Sequence, residues 1–236
     1  MQNKKIYLII TLLIFIISIS GCSNKKETVK EDLLGINYDT TSNEVELSQY
    51  DTTNPVVAMY IENYGSVVIE LYPEIAPNTV SNFISLIKTG FYDNNTFHRL
   101  IPGFVLQGGD PTGTGTGGPG YTIKGEFATN DFENNLKHEK GIISMARTSA
   151  SNDTAGSQFF IMLGTAEHLD GQYAAFGKVI DGWTTIENIE KNETIADQNT
   201  GQLKNNLTIK KALIDLKGKE YNEVEKILEF QGCFKA

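Results

Sequence analysis

Arginine is scarce in this 236-residue chain: of 20 Lys and Arg residues, only Arg99 and Arg147 are arginine. Lysine supplies charge everywhere else, so an arginine marks a place that needs a planar, permanently charged donor fork. Arg99 lies in Phe97-His98-Arg99-Leu100-Ile101-Pro102-Gly103-Phe104-Val105-Leu106-Gln107-Gly108-Gly109-Asp110. That stretch joins one guanidinium and one carboxamide to aromatic and aliphatic groups. It reads as a groove, polar on one side and apolar on the other, with no nucleophile.

Other chemistries fail on their own requirements. His98, His138 and His168 are far apart, have no i, i+4 pairing and no Cys cluster beside them, so no metal site is expected. A lone His is more often structural, and His98, in a strand-like run, reads as a hydrogen-bonded structural residue. Gly156-Ser157-Gln158 lacks the closing Gly of a nucleophile elbow. Gly113 to Gly118 is formally GxGxxG, but Pro119-Gly120 follows where a dinucleotide fold needs a helix. A shaped loop bordering a groove is the better reading. The net charge of -9 argues against a nucleic-acid partner.

The elements that must position these residues are short. Twelve Phe, ten Tyr and 22 Gly favour strands and turns. Val56 to Ile61 and Ser66 to Tyr72 read as a hairpin across Asn63-Tyr64-Gly65. Pro77 opens a helix whose Val80, Phe83, Ile84 and Ile87 form one stripe, and Gly90 closes it. Ile142 to Met145, Gln158 to Met162, Ala174 to Val179 and Leu207 to Leu216 read as further strands, and Trp183 to Lys191 as a second helix. The spacing suggests an antiparallel barrel or sandwich. Val224, Ile227 and Leu228 suggest a packing helix or a frayed tail.

The N-terminus reads as a targeting segment. Lys4 and Lys5 precede the apolar run Ile6 to Ile19, about 14 residues against the roughly 20 a membrane span needs. Ile19-Ser20-Gly21-Cys22 resembles a bacterial lipoprotein signal, with cleavage before Cys22 and a diacylglyceryl group on its sulfur. Residues 22–53 then read as the lipidated Cys and a flexible tether, part of which could dock on the domain. A domain over 54–218 and a tail over 219–236 follow. The only other cysteine is Cys233, so no disulfide is expected in the fold.

Phe97 to Asp110, the Gly113–Gly120 loop, Gly156-Ser157-Gln158-Phe159-Phe160-Ile161, and Leu169-Asp170-Gly171 with Phe176-Gly177-Lys178-Val179 resemble the cyclophilin family of peptidyl-prolyl cis-trans isomerases, in order and spacing. The match runs from about Asn54 to Leu216. It implies a mostly β fold: a closed eight-stranded antiparallel barrel capped by two helices. It also implies roles. Arg99 is similar to the family's catalytic arginine and Gln107 to the glutamine that orients it. Phe104, Val105, Phe160 and Leu169 correspond to walls of the proline pocket, Val105 standing where many members have Met. Ala146 and Arg147 correspond to the substrate-backbone segment, where many members have Asn at the second position. Gln158 corresponds to a polar groove residue, though it could equally satisfy buried backbone. His168 stands where many eukaryotic members have Trp, and Tyr173 where they have His.

The resemblance implies no metal and no cofactor, X-Pro polypeptides as clients, a monomer, and weakened cyclosporin binding because sensitive members use that Trp. With the lipoprotein signal it implies an extracytoplasmic, membrane-anchored foldase. A non-catalytic proline-peptide or protein-binding module is the alternative that the same groove allows.

Overall fold

The computed structural model describes residues 45–228. The signal segment, Cys22 and Cys233 lie outside them. The elements are β1 (Val56–Ile61), β2 (Gly65–Leu71), α1 (Pro77–Lys88), β3 (Asn95–Ile101), β4 (Val105–Asp110), β5 (Tyr121–Thr122), β6 (Ile142–Met145), β7 (Phe159–Met162), β8 (Ala175–Asp181), α2 (Trp183–Asn192), β9 (Ile195–Asp197), β10 (Gln202–Asp215) and β11 (Ile227–Leu228). Eight strands run in the order β1-β2-β8-β6-β7-β4-β3-β10, and pairing of β1 with β10 closes the ring. All these pairings are antiparallel. The expected barrel is therefore closed, which removes the free edges a sandwich would expose.

Strand alternation sorts side chains to the two faces of the wall. Val57, Met59 and Ile61 of β1 and Phe159 and Ile161 of β7 enter the main core, whereas Val56, Ala58, Phe160 and Met162 belong to separate outer clusters. Helix α1 drives Phe83 into the interior, with ring centroids 5.0 Å from Tyr92, 5.4 Å from Phe159 and 5.0 Å from Phe176. Helix α2 adds Ile186 and Ile189 to the same core. Residue Ala76 gives α1 no side-chain cap. Instead the buried Glu126 accepts from the Asn78 and Thr79 amides at 3.0 and 2.7 Å, satisfying two free donors of the first turn.

Segments on either side of the barrel pack against it. The last residues before β1, where the sequence left docking open, do dock. A 3₁₀ turn at Leu47–Gln49 packs Leu47 on Val56, Ala58 and Val68, and Lys217 Nζ donates to the carbonyls of Leu47 and Tyr50 at 2.9 and 3.1 Å. The described part of the tail is neither helical nor frayed. Val224 packs on the core, and Ile227 and Leu228 pair with Thr122 and Tyr121. Asn78 clamps the Glu225 backbone from both sides, donating to its carbonyl at 3.0 Å and accepting from its amide at 2.8 Å. That occupies the backbone groups a helix would need.

Candidate active site

Strand register gathers the candidate residues. Gln202 pairs with Arg99, Arg99 with Gln107, Gln107 with Phe160 and Phe160 with Ser144, a single row across five strands. The row lies on the outer wall. Phe97 and Leu100 both face the core although they are three residues apart, because the β3–β4 register shifts between Phe97 and Arg99. This bulge resets the alternation and re-aims side chains, as bulges beside sites commonly do. Without it Arg99 and Leu100 could not hold their present faces. On β4, Gly109 has φ +84°, and a Cβ there would strike the Ser157 carbonyl. Only glycine allows this approach of β4 to Ser157, two residues before β7.

A chain of hydrogen bonds fixes the guanidinium. Arg99 Nε donates to the Thr200 carbonyl at 2.7 Å and Nη1 to Gln107 Oε1 at 2.9 Å. Gln107 Nε2 donates to Gln158 Oε1 at 3.0 Å. Gln158 Nε2 ends the chain on the carbonyls of Gly115 and Gly117, at 3.0 and 2.9 Å. Gln158 thus combines both roles that the sequence left open, satisfying backbone and supporting the groove. Partial burial lowers the Arg99 pKa from its ordinary value, opposed by the nearby Tyr173. No carboxylate is ion-paired with Arg99 among the described residues.

Beside this polar row lies an apolar cluster of Val105, Phe160 and Leu169, with Phe104, Ala146 and Tyr173 packed against it. His168 stacks on Phe104 with centroids 5.9 Å apart. Tyr173 meets Phe160 edge-on at 5.8 Å. Arg147 lies over the Tyr173 ring at 4.9 Å and donates through Nε to the Gln172 carbonyl at 3.0 Å. The eleven candidates are therefore linked by contacts, four of them on strands β3, β4 and β7 and the other seven on the adjoining turns and loops.

One expectation is corrected. His98 is buried, but its Nδ1 has no hydrogen-bond partner among the described residues. The bulge turns it towards the Gly113–Gly115 loop, where Gly115 offers no side chain to meet it. Burial pushes the His98 pKa below 6.5, against the pull of Asp110.

Sequence reasoning missed three supports. The Thr200 carbonyl carried no signal, since any residue can supply one. Asp110 organises the glycine loop, accepting from the Thr112, Thr114 and Gly115 amides and the Thr112 hydroxyl. Burial alone would raise its pKa, but these bonds bring it down to about 2. The Asp-Pro-Thr-Gly start of the loop was the available turn signal. Finally, His138 underlies the apolar cluster: its ring stacks on Phe160 at 6.1 Å, with Nδ1 3.1 Å from Asp170 and Nε2 3.0 Å from the Ser144 hydroxyl. Ser144 is fully buried, so this Asp-His-Ser line is a structural brace without access for a substrate.

A closed barrel carries a braced guanidinium beside an aromatic cluster, and the one hydroxyl in the row, Ser144, is buried against His138, an arrangement suited to turning a bond rather than breaking it. The family described as cyclophilin type peptidyl-prolyl cis-trans isomerase/CLD matches residues 56–213, and the chain belongs to it as an isomerase. It is 50% identical over 137 residues to peptidyl-prolyl cis-trans isomerase B of Bacillus subtilis (strain 168), covering 58% of this chain and 92% of that protein. It is 43% identical over 152 residues to a Helicobacter pylori (strain ATCC 700392 / 26695) peptidyl-prolyl cis-trans isomerase, covering 64% and 90%. A Cryptosporidium parvum cyclophilin-type isomerase, crystallised in the presence of the dipeptide Ala-Pro, superimposes with a TM-score of 0.59 at 36% identity, covering 68% of this chain and 98% of that one.

Proposed function

We propose that the groove isomerises X-Pro bonds of exported proteins at the outer face of a bacterial membrane, where a lipid on Cys22 holds the domain. The observation that carries the catalytic part is the Arg99 guanidinium, held by Thr200 and Gln107 beside the apolar cluster of Phe104, Val105, Phe160 and Leu169. An X-Pro bond has a small trans preference but a barrier near 20 kcal/mol, because rotation breaks amide resonance. In the twisted amide the prolyl nitrogen regains a lone pair and the carbonyl is displaced. Arg99 donates to that state while the apolar walls grip the ring, and Gln107 orients the guanidinium. Preferential binding of the twisted state by about 7 kcal/mol gives roughly 10⁵-fold acceleration. No proton is transferred, so the rate is flat between about pH 6 and 8.

Exchange NMR on a short Ala-Pro peptide tests this reading, with the parent protein and Arg99→Ala. Strong catalysis that collapses in a folded variant supports it. Catalysis that survives the substitution, or a steep profile centred near pH 6.5, would remove Arg99 from the mechanism.

Location rests on the Lys4, Lys5, Ile6 to Ile19 and Ser20-Gly21-Cys22 pattern. Two acyl chains on one residue suffice for stable anchoring where one is marginal. Mass spectrometry of the membrane fraction should find a chain beginning at a diacylglyceryl Cys22, and an unmodified Cys22 there would refute the lipid anchor. Cyclosporin should bind weakly, since His168 offers Phe104 a smaller ring than an indole.

A further inference from the structure

Beside the apolar cluster of Phe104, Val105, Phe160 and Leu169 lies a cavity of about 650 Å³. Gln107, Ala146 and Gln158 border it on the groove side, and the Gly115–Thr122 loop forms its far wall. Arg147 lines it, and no carboxylate does. In a chain of net charge -9 that is a local reversal of sign.

The neighbouring acids are turned away. Asp110 accepts from loop amides, Asp153 from the Gly125 amide and the Asn130 side chain, and Glu126 from the first turn of α1. Arg147 is held rigidly without being neutralised. Its Nε and Nη1 donate to the carbonyls of Gln172 and Thr148 at 3.0 and 3.1 Å, and its guanidinium lies over Tyr173 and Phe127 at 4.9 and 5.4 Å. Among the described residues it has no ion pair, and its Nη2 makes no hydrogen bond. A fixed guanidinium with a free donor is suited to a carboxylate.

We propose that this cavity selects clients with an acidic side chain, Asp or Glu, flanking the X-Pro bond, and that Arg147 determines the preference. The inference rests on the reading that the groove holds X-Pro segments. A chain whose proline ring sits among Phe104, Val105, Phe160 and Leu169 passes Ala146, Gln107 and Gln158, so a flanking side chain reaches the cavity. There the carboxylate meets Arg147, and a lysine is repelled.

The test uses the full chain in detergent and acetylated, amidated Ala-rich Pro peptides, which carry no terminal charge. A single Glu, Gln or Lys is moved through each position flanking the proline, and kcat/KM is measured by exchange NMR. At one position Glu should exceed Lys by about fivefold, with Gln between them, as expected for a partly exposed pair. Arg147→Glu should invert that order and Arg147→Lys should keep it, which also covers a charge-reversed variant that fails to fold. Equal catalysis of Glu and Lys peptides at every position would overturn this inference alone, as would a Glu preference that survives Arg147→Glu. Absence of catalysis for every peptide would overturn the reading of the groove itself.

Discussion

If Gln107 works only by holding Arg99, its removal should have no effect once Arg99 is gone. Gln107 Oε1 accepts from Arg99 Nη1 at 2.9 Å, and the guanidinium keeps a second bond to the Thr200 carbonyl. A hydrogen bond to a charged group contributes about 1.5–3 kcal/mol, so Gln107→Ala should lower kcat/KM by roughly 10- to 150-fold. Losing a donor aimed at the transition state costs about 10²–10³, the range expected for Arg99→Ala. Independent effects would multiply to about 10³–10⁵. We expect the double variant to match Arg99→Ala within about threefold, a coupling energy equal to the whole effect of Gln107→Ala. The glycine loop should stay in place in both, because Gln158 keeps its bonds to Gly115 and Gly117. Exchange NMR on one Ala-Pro peptide reads all four proteins, with circular dichroism to confirm folding. Multiplicative losses would show that Gln107 acts on the substrate directly.

Three further outcomes follow from the same geometry. Asp110→Ala should cost about 1–3 kcal/mol in urea denaturation at pH 7, because it leaves the Thr112, Thr114 and Gly115 amides without their acceptor. It should also raise KM by loosening the loop that anchors Gln158, and an unchanged KM would separate loop from groove. Burial lowers the pKa of both His98 and His138 below the unfolded value of about 6.5. The unfolded chain then binds more protons in that window, so their contribution is full above about pH 6.5 and is lost as pH falls through the folded pKa values. Denaturation midpoints that rise between pH 7.5 and 5 would contradict this. A chain beginning at Asn54 should lose about 2–4 kcal/mol of stability, because Leu47 no longer covers Val56, Ala58 and Val68. Its isomerase rate should hold, since β1 and β2 lie across the ring from β7 and β4, and a collapse in rate would tie this segment to the groove.

The barrel was legible because each strand declares its faces locally. Val56 to Ile61 and Phe159 to Met162 are apolar at nearly every position, which marks them as buried on both sides, one side in the main core and one in an outer cluster. The α1 stripe Val80, Phe83, Ile84 and Ile87 was equally plain, and all four are buried. The tail misled because apolar residues at 224, 227 and 228 fit a helical period. Its conformation was decided by Asn78, about 147 positions away in the chain. The Leu47 dock was undecidable for the same reason, since its partners are an outer-wall patch that only closure of the barrel creates.

The site divides along the same line. Side-chain chemistry marked Arg99, Gln107 and Gln158, because a charged fork and two carboxamides among apolar residues have few bland uses. What fixes them leaves less trace. The acceptors at Thr200, Gly115 and Gly117 are backbone carbonyls, which every residue possesses. His98 shows the limit from the other side. Its place in a strand suggested an ordinary hydrogen-bonded residue, but alternation alone would have turned it or Arg99 inward. The bulge keeps Arg99 on the outer wall and leaves His98 buried beneath a loop without a partner for Nδ1. An orphaned buried polar atom costs about 1–3 kcal/mol. The strand retains it because Phe97 and Leu100 are fixed in the core, so the register that seats both of them is the register that aims Arg99 into the groove.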